Sequence, residues 1–117
     1  MEIQFKRLTA EHSDSLWEMA RCLCRRDALT KDEEGHEVML SLVQLIDDGA
    51  IYEAVVGGKR VAWARVYPLR EGFDATSHPV MAQHHRMTHE QVVDLLRAFT
   101  EMLLREHRLL RITVPVV

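Results

Sequence analysis

Residues 48–68 read Asp48-Gly49-Ala50-Ile51-Tyr52-Glu53-Ala54-Val55-Val56-Gly57-Gly58-Lys59-Arg60-Val61-Ala62-Trp63-Ala64-Arg65-Val66-Tyr67-Pro68. Two β-rich runs, Ile51 to Val56 and Arg60 to Tyr67, flank the pair Gly57-Gly58. Two glycines between apolar runs predict a tight hairpin. Asp47-Asp48-Gly49 ahead of it is a helix stop signal, and Pro68 is expected to close the second strand.

Upstream, Ile3 and Phe5 alternate with polar residues and predict a first strand over Glu2 to Leu8. Thr9, with Glu11 in the first turn, predicts the start of a helix. Leu16, Met19, Ala20 and Leu23 form its apolar stripe, and it is expected to end near Arg25 to Ala28. Thr30 followed by Glu33 is a capping-box pattern for a second helix. Its core face is Val38, Met39, Leu42, Val43, Leu45 and Ile46.

Downstream, Leu69 to Pro79 carries Gly72, Asp74, Ser77 and Pro79 and reads mostly as loop, with Phe73 to Thr76 a candidate addition to the sheet. Val80-Met81-Ala82 is a short strand candidate. Thr88 to Gln91 is another capping-box pattern. The helix it opens, His89 to Arg105, has Val92, Val93, Leu95, Leu96, Phe99, Met102 and Leu103 as its core face. Arg111 to Val117 is β-branched, and Pro115 favours an edge there. The fold class is therefore α/β (α+β), one domain over 1–117, with order β-α-α-β-β-β-α-β and helices on both faces of a mixed sheet.

The 117 residues suffice for one domain with a real core. A net charge of −3 and a pI near 6.1 give no electrostatic reason to bind nucleic acid or an anionic membrane. Met1 to Arg7 alternates charged and apolar residues, unlike a secretory leader, and no apolar run approaches a membrane span. Cys22 and Cys24 at i, i+2 point to different helix faces, so they are expected as reduced thiols in a cytoplasmic protein.

The stretches Ile3-Gln4-Phe5-Lys6-Arg7-Leu8-Thr9-Ala10-Glu11-His12, Leu16-Trp17-Glu18-Met19, the hairpin above, and Leu110-Arg111-Ile112-Thr113-Val114 resemble the GNAT N-acetyltransferase family over most of the chain. The resemblance implies acetyl-CoA as cofactor, transfer of its acetyl group to an amine, and a pyrophosphate loop of pattern Q/R-x-x-G-x-G/A before the third helix. The matching stretch here is Gln83-His84-His85-Arg86-Met87-Thr88. Gln83 keeps the first position, while Arg86 and Thr88 stand where small residues are expected. Two readings follow. Arg86, Thr88 and the amides of His89 and Glu90 hold a phosphate by charge and hydrogen bond, or the larger side chains fill the space. The resemblance also implies a helix and two strands beyond the fifth strand; with Val117 as the last residue, these C-terminal strands of the family are expected to be missing.

The resemblance makes Val80, Met81, Ala82, Gln83, Arg86, Thr88 and His89 the expected cofactor-binding residues, with amides near Val80 to Ala82 polarising the thioester carbonyl. Candidates for the proton acceptor are Glu53, Asp74 and His78. For Glu53 the alternative is a solvent-facing carboxylate on a hairpin. Trp63 and Tyr67 share one side of their strand and are expected as core or interface residues. The cluster His78, His84, His85 and His89 is read as solvated loop histidines, because zinc needs converging, oriented ligands; no metal is expected. An edge strand at the end of the chain suggests a homodimer. The competing function is a catalytically inactive protein-binding module of the same fold.

Overall fold

Gly57 and Gly58 take φ of 58° and 77°, the positive values that both central residues of a type I′ hairpin turn need. They join two long strands in a computed structural model that describes residues 2–24, 33–69, 72–75, 80–82, 87–107 and 109–112. The described elements are β1 (Gln4–Arg7), α1 (Ser13–Cys24), α2 (Glu33–Asp48), β2 (Ala50–Val56), β3 (Lys59–Leu69), β4 (Gly72–Ala75), β5 (Val80–Met81), α3 (His89–Glu106) and β6 (Leu109–Ile112). The sheet runs β1-β2-β3-β4-β6, with β5 also paired to β3. Every pairing is antiparallel except β4 with β6.

Strand alternation sends successive side chains to opposite faces. Ala50, Tyr52 and Ala54 pack with Ala62, Ala64 and Val66 against Leu95, Phe99, Met102 and Leu103 of α3. Ile51 and Trp63 pack on the other side with Leu16, Met19 and Ala20 of α1 and Leu42 and Leu45 of α2. Helices therefore cover both faces, as the apolar stripes predict. The expected faces hold in detail: Leu95, Leu96, Phe99, Met102 and Leu103 are buried, while Val92 and Val93 are half-buried. Trp63 is fully buried and Tyr67 is exposed.

Two local expectations are corrected. Thr9 does not start the helix. It opens a turn in which its Oγ1 accepts the Glu11 N–H at 3.3 Å, its carbonyl accepts the His12 N–H, and its own N–H donates to His12 Nδ1 at 2.8 Å. The helix begins at Ser13, because Thr9's capping groups are spent locally. Pro68 does not close β3, which continues to Leu69. β2 pairs with β3 only as far as Val66, so at residue 68 that side of β3 is an edge where a missing N–H costs no ladder bond. The candidate addition to the sheet at Phe73 to Thr76 is present, one residue earlier, as β4 (Gly72–Ala75) against Val66 to Leu69.

The β2–β3 ladder carries a register shift. Ala54 pairs with Ala62 and Val55 with Arg60, so Val61 is an extra residue in β3. A bulge of this kind breaks the alternation. Val61 and Ala62 both join the α3-side core, and Arg60 is turned to the face of α1.

Candidate functional site

The end of β5 lies towards the turn end of the β2–β3 hairpin. β5 pairs Met81 with Ala62 and Val80 with Trp63, and the Ala82 N–H donates to the Val61 carbonyl at 2.9 Å. Backbone groups alternate in direction along a strand. The Ala82 amide is thus committed to β3, and the Met81 amide, one residue earlier, is directed to the opposite edge. Ala82 itself is buried.

Met87 packs against the α3-side core, and the next residue caps α3. The Thr88 Oγ1 accepts the Gln91 N–H at 3.2 Å, and the Gln91 Oε1 accepts the Thr88 N–H at 2.9 Å. This completes the capping box read from the sequence. His89 and Glu90 supply the remaining first-turn amides, at the positive end of an eighteen-residue helix. Glu90 also puts a carboxylate in that turn, where it competes with any bound anion. Thr88 and His89 are exposed. Gln83 and Arg86 lie outside the described residues.

Glu53 sits on the face under α1, between its cross-strand partners Lys6 and Trp63. It is 2% exposed, so the solvent-facing reading does not apply. Its Oε1 accepts the Trp63 indole N–H at 3.1 Å and lies 3.2 Å from Arg60 Nε. Arg60 Nη1 in turn reaches Glu18 Oε2 on α1 at 2.9 Å. One guanidinium thus joins a buried carboxylate on β2 to a carboxylate on α1, using the fork geometry that distinguishes arginine from lysine.

No protein-family model and no curated protein matches the chain. Solved structures do. A possible acetyltransferase from Clostridium difficile 630 superposes with a TM-score of 0.64 at 11% identity, over 100% of this chain and 81% of that one. A ribosomal-protein-alanine N-acetyltransferase from Brucella melitensis biovar Abortus 2308 gives 0.60 at 16% identity, over 99% and 81%. A predicted acetyltransferase with acetyl-CoA from Clostridium acetobutylicum gives 0.56 at 12%, over 98% and 81%. The chain has a GNAT-like fold.

In this GNAT-like frame the expected site residues separate into three places. The first is sequential: Val80, Met81 and Ala82 at β5 and Thr88 and His89 at the start of α3, on either side of residues 83–86. Glu53 lies inside the sheet–α1 layer, bound to Trp63 and Arg60. Asp74 stands in β4 at the register position between Tyr67 on β3 and Arg111 on β6. His78 lies outside the described residues, as do His84 and His85.

Sequence reasoning missed a fourth group. Tyr52 Oη lies 2.7 Å from His107 Nε2, with the rings edge-on at 5.5 Å between centroids. The Arg7 guanidinium sits 5.9 Å over the Tyr52 ring, and its Nη2 donates to the Gly49 carbonyl at 3.3 Å. Burial pushes the Tyr52 phenol up, with Arg7 opposing. Burial pushes the His107 imidazole below its ordinary range, Arg7 adds to this, and Glu106 opposes it. Both rings are thereby held neutral near pH 7. The cross-strand pairing of Arg7 with Tyr52 and the contact of the α3 C-cap, His107, with Tyr52 bring the group together, and no local motif signals either.

Proposed function

We propose that the chain binds acetyl-CoA between β5 and α3 and passes the acetyl group to an amine by direct attack. The observation that carries this reading is the combination of a GNAT-like fold with a capped α3 N-terminus following a strand whose Met81 amide is directed away from β3. Amides at a helix N-terminus suit a pyrophosphate. An outward strand amide suits a thioester oxygen that becomes negative in the tetrahedral intermediate. The neighbour from Clostridium acetobutylicum, solved with acetyl-CoA, supports the choice of cofactor.

The chemistry is a single displacement. The amine nitrogen forms a bond to the carbonyl carbon, the C–S bond breaks, and the CoA thiolate takes up a proton. The amine must first lose a proton. Asp74 and His78 are the proposed acceptors; Glu53 is the weaker choice, since its Oε1 already takes two donors.

A second reading is favoured by the residues before α3. Arg86 and Thr88 stand in place of small residues, and Glu90 adds negative charge to the anion-facing turn. On that reading the chain is a GNAT-fold module that binds another protein. Acetyl-CoA at about 1 mM separates the two. A ligand selective for the native state stabilises it by about 2.7 kcal/mol at a hundred times its Kd, which raises Tm by several degrees. No shift at that concentration overturns the acyltransferase reading.

A further inference from the structure

Glu53 poses an energetic question. A carboxylate taken out of water costs several kcal/mol unless it is paired, and even a well-paired one is weak support for stability. The retained charge therefore points to a geometric task, and its surroundings indicate which.

β5 is two residues long and is held to β3 by Ala62, Trp63 and the bond from Ala82 to the Val61 carbonyl. Two strand residues provide little pairing of their own. The β3 residues that hold β5 are those flanked by the bulge at Val61. Arg60, turned by that bulge, ties β3 to Glu53 on one side and to Glu18 of α1 on the other. α1 packs against both β3 and β5. Trp63, whose backbone pairs with Val80, has its indole fixed by Glu53 within the same cluster as Ala82, Leu16 and Met19.

We infer that Glu53 and Arg60 are positioning residues that clamp α1 onto β3 and thereby fix the placement of β5. Glu53 orients the Trp63 indole, Arg60 bridges the two carboxylates, and β5 is held between the ordered strand and the tethered helix. The functional consequence rests on the acyltransferase reading, in which β5 supplies the amide that faces the thioester. The structural consequence does not depend on that reading.

The test is amide hydrogen exchange, read at single residues, on the whole chain carrying E53Q. The Ala82 amide is the reporter. The Gly49 amide, bonded to Leu45, and the His107 amide, bonded to Leu103, are the references. Removing a hydrogen-bonded charge is worth about tenfold or more in local opening. Exchange at Ala82 is expected to accelerate at least about tenfold relative to both references. Equal acceleration at all three amides means that Glu53 only stabilises the whole fold, and overturns the proposal, as does no change at Ala82. Should E53Q not fold, E18Q carries the same test, since the Glu18 side chain is 15% exposed. Selective acceleration at Ala82 supports the clamp and its absence overturns it. A wild-type chain that shows no acetyl-CoA shift sinks the acyltransferase reading alone; the exchange result decides the clamp.

Discussion

The 2.7 Å contact between Tyr52 Oη and His107 Nε2 joins β2 to the residue that caps the C-terminal end of α3. With both rings neutral, a single proton lies between oxygen and nitrogen. Acid adds a second proton to the imidazole, and the new cation then faces Arg7 in a partly buried setting.

This fixes the sign of a pH dependence. The folded-state pKa of His107 is lowered from 6.5, so between the two values the unfolded chain binds more protons than the folded one. Stability from this group is present above about pH 6.5 and is lost as pH falls through the folded value. Urea unfolding of wild type and His107→Gln across pH 5 to 8 is expected to show the wild-type advantage shrinking towards acid. A difference that stays constant over that range contradicts the assignment.

The turn and junction glycines predict an order of effects. A Cβ at Gly49 collides with the Val66 carbonyl, a backbone atom that cannot swing away. A Cβ at Gly58 meets nothing within 4 Å, but φ of 77° costs an L-residue about 1–2 kcal/mol. Gly49→Ala is therefore expected to be the more destabilising, and Gly58→Ala to lose about 1–2 kcal/mol in denaturant melts. The reverse order contradicts the close packing of the α2–β2 junction against β3.

The hairpin and α3 are legible in the sequence because their signals are local: paired glycines between β-rich runs, and a capping box before a 3.6-residue apolar period. Glu53 and Arg60 are not. Simple alternation along β3 puts Arg60 with Ala62 on the α3 side. The bulge at Val61 reverses that, and nothing in Arg60-Val61-Ala62 announces a bulge. β4 is legible only in part, as the candidate addition at Phe73 to Thr76. Its Gly72 and Asp74 carry turn chemistry, and only pairing with β3 and β6 makes a strand of them. Of the expected cofactor residues, Thr88 is legible in its capping role, whereas the alternation that distinguishes Met81 from Ala82 depends on which edge of β5 meets β3.

β6 ends the strand order among the described residues. A sheet edge with its backbone groups exposed favours pairing with a second chain unless it is blocked. The expectation is a homodimer through this edge, seen by light scattering coupled to size exclusion at micromolar concentration. A monomer mass under those conditions contradicts it.

Thr88→Ala tests stability and the proposed site together. The threonine hydroxyl satisfies the Gln91 amide, and Gln91 satisfies Thr88 in return. Alanine removes the first bond and leaves the second without its reciprocal partner, a loss of about 0.5–2 kcal/mol. Since α3 presses Leu95, Phe99, Met102 and Leu103 onto the sheet, fraying at its start is expected to lower the denaturation midpoint without changing the slope of the transition. The same turn carries the His89 and Glu90 amides, so any acetyl-CoA-induced rise in Tm is expected to shrink in this variant. A variant that loses stability yet keeps the full shift separates the cap from the cofactor and moves the phosphate contact away from the first turn of α3.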